Sequence, residues 1–232
     1  MDNYRIYIGT YSGDGSEGIY AHKLDMSTGA LTQMSSHGEI ENPSFLDLSP
    51  DGRFLYAIGE VSETNGQPGG TVGAYSINQE DGSLKYINTE STVGPGPCHL
   101  SVDAGGQYVL VANYGGGSVA VLPTKDDGAL LEASDFIQHE GSSVNPNRQQ
   151  EPHAHSIMIA PNNRYAYAPD LGMDKIMIYN LDLEKGKLQP NSQPFQSVEP
   201  GQGPRHFDFH PNNKFAFIIN EIGNTIVSYD YN

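Results

Sequence analysis

The chain has 232 residues, with 12 Lys and Arg against 28 Asp and Glu, a formal net charge of −16 and a single cysteine. That balance excludes nucleic acid and anionic membrane as partners, because both require basic surface, and no apolar run reaches membrane-spanning length. The start, Met1 to Gly9, lacks the basic and apolar regions of a signal peptide, and the lone Cys98 cannot form an intramolecular disulfide, so a reducing cytoplasm is the expected compartment.

In chain order, Tyr4–Thr10 reads as a strand, Gly18–Leu24 as the next, and Thr28-Gly-Ala-Leu31 as a turn opening a third. Four segments then repeat one pattern without gaps: Pro43–Tyr56, Pro97–Leu110, Ala154–Tyr167 and Pro204–Phe217. Their turns begin at Pro50, Ala104, Pro161 and Pro211, a spacing of roughly 50 residues, which suits one propeller blade per repeat. Each unit opens on a strand with period-2 alternation, as in Phe45-Leu-Asp-Leu48. A turn such as Pro-Asp-Gly-Arg or Pro-Asn-Asn-Lys follows, with Pro presetting φ and Gly or Asn tolerating positive φ. Second strands are aromatic and β-branched (Phe54–Ile58, Tyr108–Ala112, Tyr165–Ala168, Phe215–Ile219). Third strands are predicted at Thr71–Ile77, Ser118–Leu122, Lys175–Tyr179 and Thr225–Tyr229. Gly-before-Leu turns at Asp81–Leu84, Asp127–Leu130 and Lys185–Leu188 open the fourth strands.

The first unit lacks its innermost strand, and the last stops at Tyr229–Asn232 without its outer one. The expected architecture is an all-β propeller, a single domain over residues 1–232 that is incomplete at the C-terminus. No sustained helical period interrupts it.

Inner strands of a propeller line its central channel, so polar residues at their starts mark a small-molecule site. The matched positions are Ser44, Cys98, His155 and Arg205, followed by Phe45, His99, Ser156 and His206. In so acidic a chain, Arg205 beside His206 is a notable cationic cluster. A histidine there could equally bond a neighbouring blade's backbone. His153 and His155 form an H-x-H pair, but no clear set of further metal ligands accompanies them. Glu221 ends a second strand; Glu60, Tyr114 and Leu171 hold the matching positions. The glycines of Asn113–Ser118 and the carboxylates of Asp170–Asp174 read as turn requirements. No helix follows the glycine run, so it is not a phosphate loop.

These motifs together resemble the β-propeller lactonases of the bacterial 6-phosphogluconolactonase type, which are related to carboxy-muconate lactonizing enzymes. The similarity rests on Tyr7–Tyr11 with Gly18-Ile-Tyr20, Asn42-Pro-Ser44, Ala112–Ser118, Arg148-Gln149 leading to Pro152–His155, Asp170-Leu-Gly172 with Asp174, and Gly201–His206 followed by Glu221. The resemblance implies a seven-bladed propeller of which this chain supplies about the first two thirds. It implies His155, Arg205 and Glu221 as catalytic residues, with Arg148, His153 and His206 nearby for substrate binding. It implies hydrolysis of 6-phospho-D-glucono-1,5-lactone, a small anionic sugar lactone, with neither metal nor other cofactor. Hydrolysis of another lactone, a muconate-type cycloisomerisation and a non-catalytic protein-binding propeller are the alternatives. The absence of Trp removes the Trp-Asp blade ending that would favour the last. Oligomeric state has no signature in the sequence.

Overall fold

The strand-turn-strand repeat closes in the same way four times. In the computed structural model, which describes residues 3–64 and 66–231, the third turn residue is left-handed in every unit: Gly52 (φ 67°), Gly106 (φ 68°), Asn163 (φ 57°) and Asn213 (φ 56°). Gly and Asn are the residues that accept this conformation with least strain. Each donates its N–H to the carbonyl three residues back (Ser49, Asp103, Ala160 or His210) at 2.8 Å. Met1, Asp2, Asn65 and Asn232 lie outside the described residues, including the final residue of the strand expected at Tyr229–Asn232.

The strands are β1 (Asn3–Gly9), β2 (Ile19–Asp25), β3 (Leu31–His37), β4 (Leu46–Leu48), β5 (Phe54–Gly59), β6 (Glu63–Thr64), β7 (Gln67–Pro68), β8 (Thr71–Ile77), β9 (Leu84–Ser91), β10 (Pro97–Val102), β11 (Tyr108–Asn113), β12 (Ser118–Pro123), β13 (Asp135–Gln138), β14 (Met158–Ile159), β15 (Tyr165–Asp170), β16 (Lys175–Asp182), β17 (Lys187–Ser197), β18 (Pro204–Phe209), β19 (Phe215–Asn220) and β20 (Thr225–Asp230). They pair antiparallel throughout, as β1-β2-β3, β4-β5-β8-β9, β10-β11-β12-β13, β14-β15-β16-β17 and β18-β19-β20. The small β6-β7 hairpin interrupts the second blade. We refer to the five sheets as blades one to five.

Alternate residues of each strand face opposite neighbours, and this sets the core between blades rather than within them. On β11, Val109 and Val111 pack with Tyr56, Ile58 and Val72 of blade two. Leu110 and Ala112 of the same strand pack with Ile157, Ala166 and Tyr179 of blade four. Blade one joins blade two through Ile19 against Leu55, Ala57 and Tyr75, and Ile176 joins Phe207, Ala216 and Ile218 of blade five. The outer strand of blade three departs from its expected place. Leu130 makes only an isolated bridge to Thr124, and pairing resumes at Asp135.

Inner strands carry the irregularity that matters most. In β10 and β18 the register slips between Pro97 and His99 and between Pro204 and His206, which leaves Cys98 and Arg205 as inserted bulge residues. Blade four takes one extra residue between the Ala154–Asp170 bridge and the Met158–Tyr167 pair. Its inner strand is therefore shorter than the expected run from Ala154. The N–H of Ile157 bonds His99 Nδ1 of the neighbouring blade at 3.3 Å, and the Ser156 hydroxyl donates to the Arg205 carbonyl at 2.8 Å.

Candidate active site

A bulge turns a side chain out of the strand's alternation, and here it turns matched residues of successive blades toward one another. Ser44, Cys98, His155 and Arg205 line a cavity of about 350 Å³ together with Tyr11, Phe45, Glu60, Tyr114, Arg148, His206 and Glu221. Its centre is Glu221, the residue that follows β19. Glu221 Oε1 accepts from Arg148 Nη2 at 2.5 Å, and Oε2 forms an ion pair with Arg205, 3.0 Å from its Nε. Oε2 also lies 3.4 Å from His155 Nε2. The Arg205 Nε–H itself points at His155 and donates to its Nε2 at 3.1 Å.

Each charge is set by its surroundings. Burial, then the neighbouring Arg205 and His206 charges, push His155 down to about 4 despite opposing help from its own backbone and Glu221. With Arg205 donating to Nε2, the neutral ring carries its proton on Nδ1, which is 3.7 Å from Cys98 Sγ. Partial burial works to raise Glu221, but the Arg148 hydrogen bond and the charges of His155, Arg148 and Arg205 outweigh it and hold the carboxyl below its usual range. Burial raises the Cys98 thiol well above its ordinary value, so it stays protonated and donates to the His155 carbonyl at 3.2 Å.

The other expected residues divide. Arg148 is at the centre, bonded to Glu221 and, at 3.2 Å, to the Tyr114 hydroxyl. His206 lines the cavity, with its ring 5.5 Å from His155 and 5.3 Å from His99. His153 stands behind the cavity wall. Its ring stacks on Tyr114 at 4.5 Å and its Nδ1 donates to the Tyr114 carbonyl at 3.0 Å. His155 meets the same Tyr114 ring edge-on. Buried His99 accepts a backbone N–H from the next blade, and burial first, then His206 and His155, push it down to about 3.

Residues read as turn formers turn out to hold the site in place. Buried Asp174 (φ 53°) accepts N–H bonds from Gly201 and Gly203 at 2.7 Å each, and a 2.5 Å bond from the Ser143 hydroxyl. It thereby ties the segment before Arg205 to the one before Arg148. Asp170 accepts the His153 N–H at 2.8 Å and, at 2.6 Å, His139 Nδ1, whose Nε2 meets the Tyr179 hydroxyl at 2.8 Å. Buried Gln149 donates to the Leu171 carbonyl at 2.8 Å. The Gly-Met-Asp spacing carries no mark of these long-range bonds. Tyr11 was likewise hidden as a site residue, because it comes from the loop after β1, far from the repeat.

The chain is 38% identical over 232 residues to the 6-phosphogluconolactonase of Bacillus subtilis (strain 168), covering 100% of this chain and 64% of that protein. It is 31% identical to the 6-phosphogluconolactonase of Formosa agariphila, covering 97% of this chain and 63% of that one. The solved structure of the periplasmic gluconolactonase of Pseudomonas aeruginosa superposes with a TM-score of 0.91 at 32% identity, over 99% of this chain and 65% of that one. The chain thus spans less than two thirds of the length of these relatives. The family model described as lactonase, seven-bladed β-propeller, matches residues 5–232, and the chain belongs to that family.

Proposed function

We propose that the cavity around Glu221 hydrolyses a sugar lactone, with 6-phospho-D-glucono-1,5-lactone as substrate. One observation carries the reading: a half-buried neutral histidine, a carboxylate and two arginines converge within hydrogen-bond distance in one open cavity. Ester-type hydrolysis needs these groups. The lactone carbonyl oxygen enters beside Arg205 and Arg148 and draws the Arg148 N–H from Glu221 and the Arg205 N–H from His155. Water then attacks the carbonyl carbon, and His155 Nε2, released from Arg205, takes the water proton. The tetrahedral oxyanion is held by the arginines, and the imidazolium by Glu221 at 3.4 Å. The ring C–O bond breaks, the proton passes from His155 to the leaving ring oxygen, and the product is an open-chain hydroxy acid that ionises. A lactone is already reactive, so a moderate lowering of the barrier suffices.

The names of the relatives support the phospho-sugar lactone, and the two arginines suit an anionic substrate. Such a substrate places the protein in the oxidative pentose phosphate route. We assign it to the cytoplasm on its lone cysteine. Among the described residues no helix is long and apolar enough to cross a membrane. The test is turnover of 6-phosphogluconolactone, glucono-δ-lactone and a muconate-type dicarboxylate by the purified protein. Preferred hydrolysis of the phosphorylated lactone is expected. Turnover of the dicarboxylate alone would assign cycloisomerisation instead.

A further inference from the structure

The cavity has a second carboxylate with a different environment. Glu60 follows β5 and Ser44 precedes β4, so in blade two they hold the repeat positions that Glu221 and Arg205 hold in blade five. Both line the same cavity. Blade five pairs its carboxylate with an arginine, whereas blade two pairs it with hydroxyls. Glu60 Oε2 accepts from the Tyr11 hydroxyl at 2.9 Å and from the Ser44 hydroxyl. Asn42 fixes this corner. Its side-chain amide donates to the Glu60 carbonyl at 3.2 Å, and its Oδ1 accepts the Ser12 N–H at 2.9 Å, next to Tyr11. Among the described residues, each ion pair in the cavity runs to Glu221, none to Glu60.

We infer that Glu60, with Tyr11 and Ser44, forms a hydroxyl-binding wall that selects polyhydroxylated lactones and orients the ring opposite the arginines. This rests on the lactonase reading. A carboxylate without a cation repels phosphate and other anions, so the anionic part of a substrate is kept from this wall. Its open acceptor positions suit vicinal hydroxyl donors, and Tyr11 and Ser44 keep lone pairs for further hydroxyls. A wall of hydroxyl and carboxylate acceptors gains bonds only from substrates that carry hydroxyls, so analogues that lack them bind more weakly. Glu60 is assigned binding and orientation; proton transfer stays with His155.

The test compares Glu60→Gln and Tyr11→Phe with wild type on glucono-δ-lactone and on δ-valerolactone, which has the ring but no hydroxyls. Glu60→Gln is expected to raise KM for gluconolactone about tenfold with kcat within about threefold, and to leave kcat/KM for δ-valerolactone within about twofold. Tyr11→Phe, at an exposed position, should show the same pattern more weakly. Equal losses on both lactones, or no loss on either, would overturn the inference. Calorimetry with gluconate and 5-hydroxypentanoate separates this from the reaction itself. Gluconate alone should bind about tenfold more weakly to Glu60→Gln, even if no lactone is turned over. Unchanged gluconate binding would remove Glu60 from recognition whatever the activity.

Discussion

Arg205 is the residue on which the site turns, because its Nε–H donates to the proposed base while its charge pairs with the carboxylate that steadies it. Arg205→Ala is expected to lower kcat/KM at least about tenfold, or about 1.4 kcal/mol of transition-state stabilisation. Unchanged kinetics would take it out of the mechanism. His155 carries a second expectation. Its folded value of about 4 lies below the ordinary 6.5, so the folded state disfavours the imidazolium. Histidine ¹⁵N spectra should therefore show a neutral His155 ring as pH falls through 6.5, charging only near 4. The associated stability is full above about 6.5 and is lost as pH falls through that window. A ring that titrates at its ordinary value would contradict the burial and Arg205 argument.

At the scale of elements, the strand-turn-strand units were legible because two strong local signals coincide. Period-2 alternation marks the strands, and Pro followed by Gly or Asn marks turns that need positive φ at Gly52, Gly106, Asn163 and Asn213. The alignment also placed His155 and Arg205 at one repeat position; Arg205 proved to be the bulge residue of its inner strand, and His155 lies in the segment of blade four that takes one extra residue. What the sequence hid was non-local. The inner strand of blade four is interrupted by bonds from Ile157 and Ser156 to neighbouring blades, and no local pattern encodes a partner some 50 residues away. The anchoring role of Asp174 was hidden for the same reason. Asp174→Ala removes three acceptor bonds from a buried carboxylate and should destabilise the fold by about 3 kcal/mol. Asp174→Asn, which tolerates the same φ, should cost less. Denaturant midpoints measure both. Equal midpoints for Asp174→Ala and wild type would show that the 201–203 segment needs no such anchor.

For the molecule as a whole, the blades pack by apolar faces, and two such faces are incompletely covered. Blade five exposes Ile226 (70%), Ile219 and Phe215, and blade one exposes Tyr4 and Ile8. Exposed apolar surface next to unpaired strand edges favours association. The 232-residue chain alone should therefore scatter light as dimers or larger species, and Ile226→Lys with Ile219→Lys should shift it toward monomer. A monomeric wild-type chain at high concentration would contradict this.

The central claim is that His155, Arg205 and Glu221 act as one hydrolytic unit, and a double-mutant cycle on lactone turnover tests it most directly. His155→Ala and Glu221→Gln are each expected to lower kcat/KM at least about tenfold, and the double variant to lose little more than the worse single one. Losses that multiply, as for independent residues, or variants that keep wild-type turnover, would contradict the account.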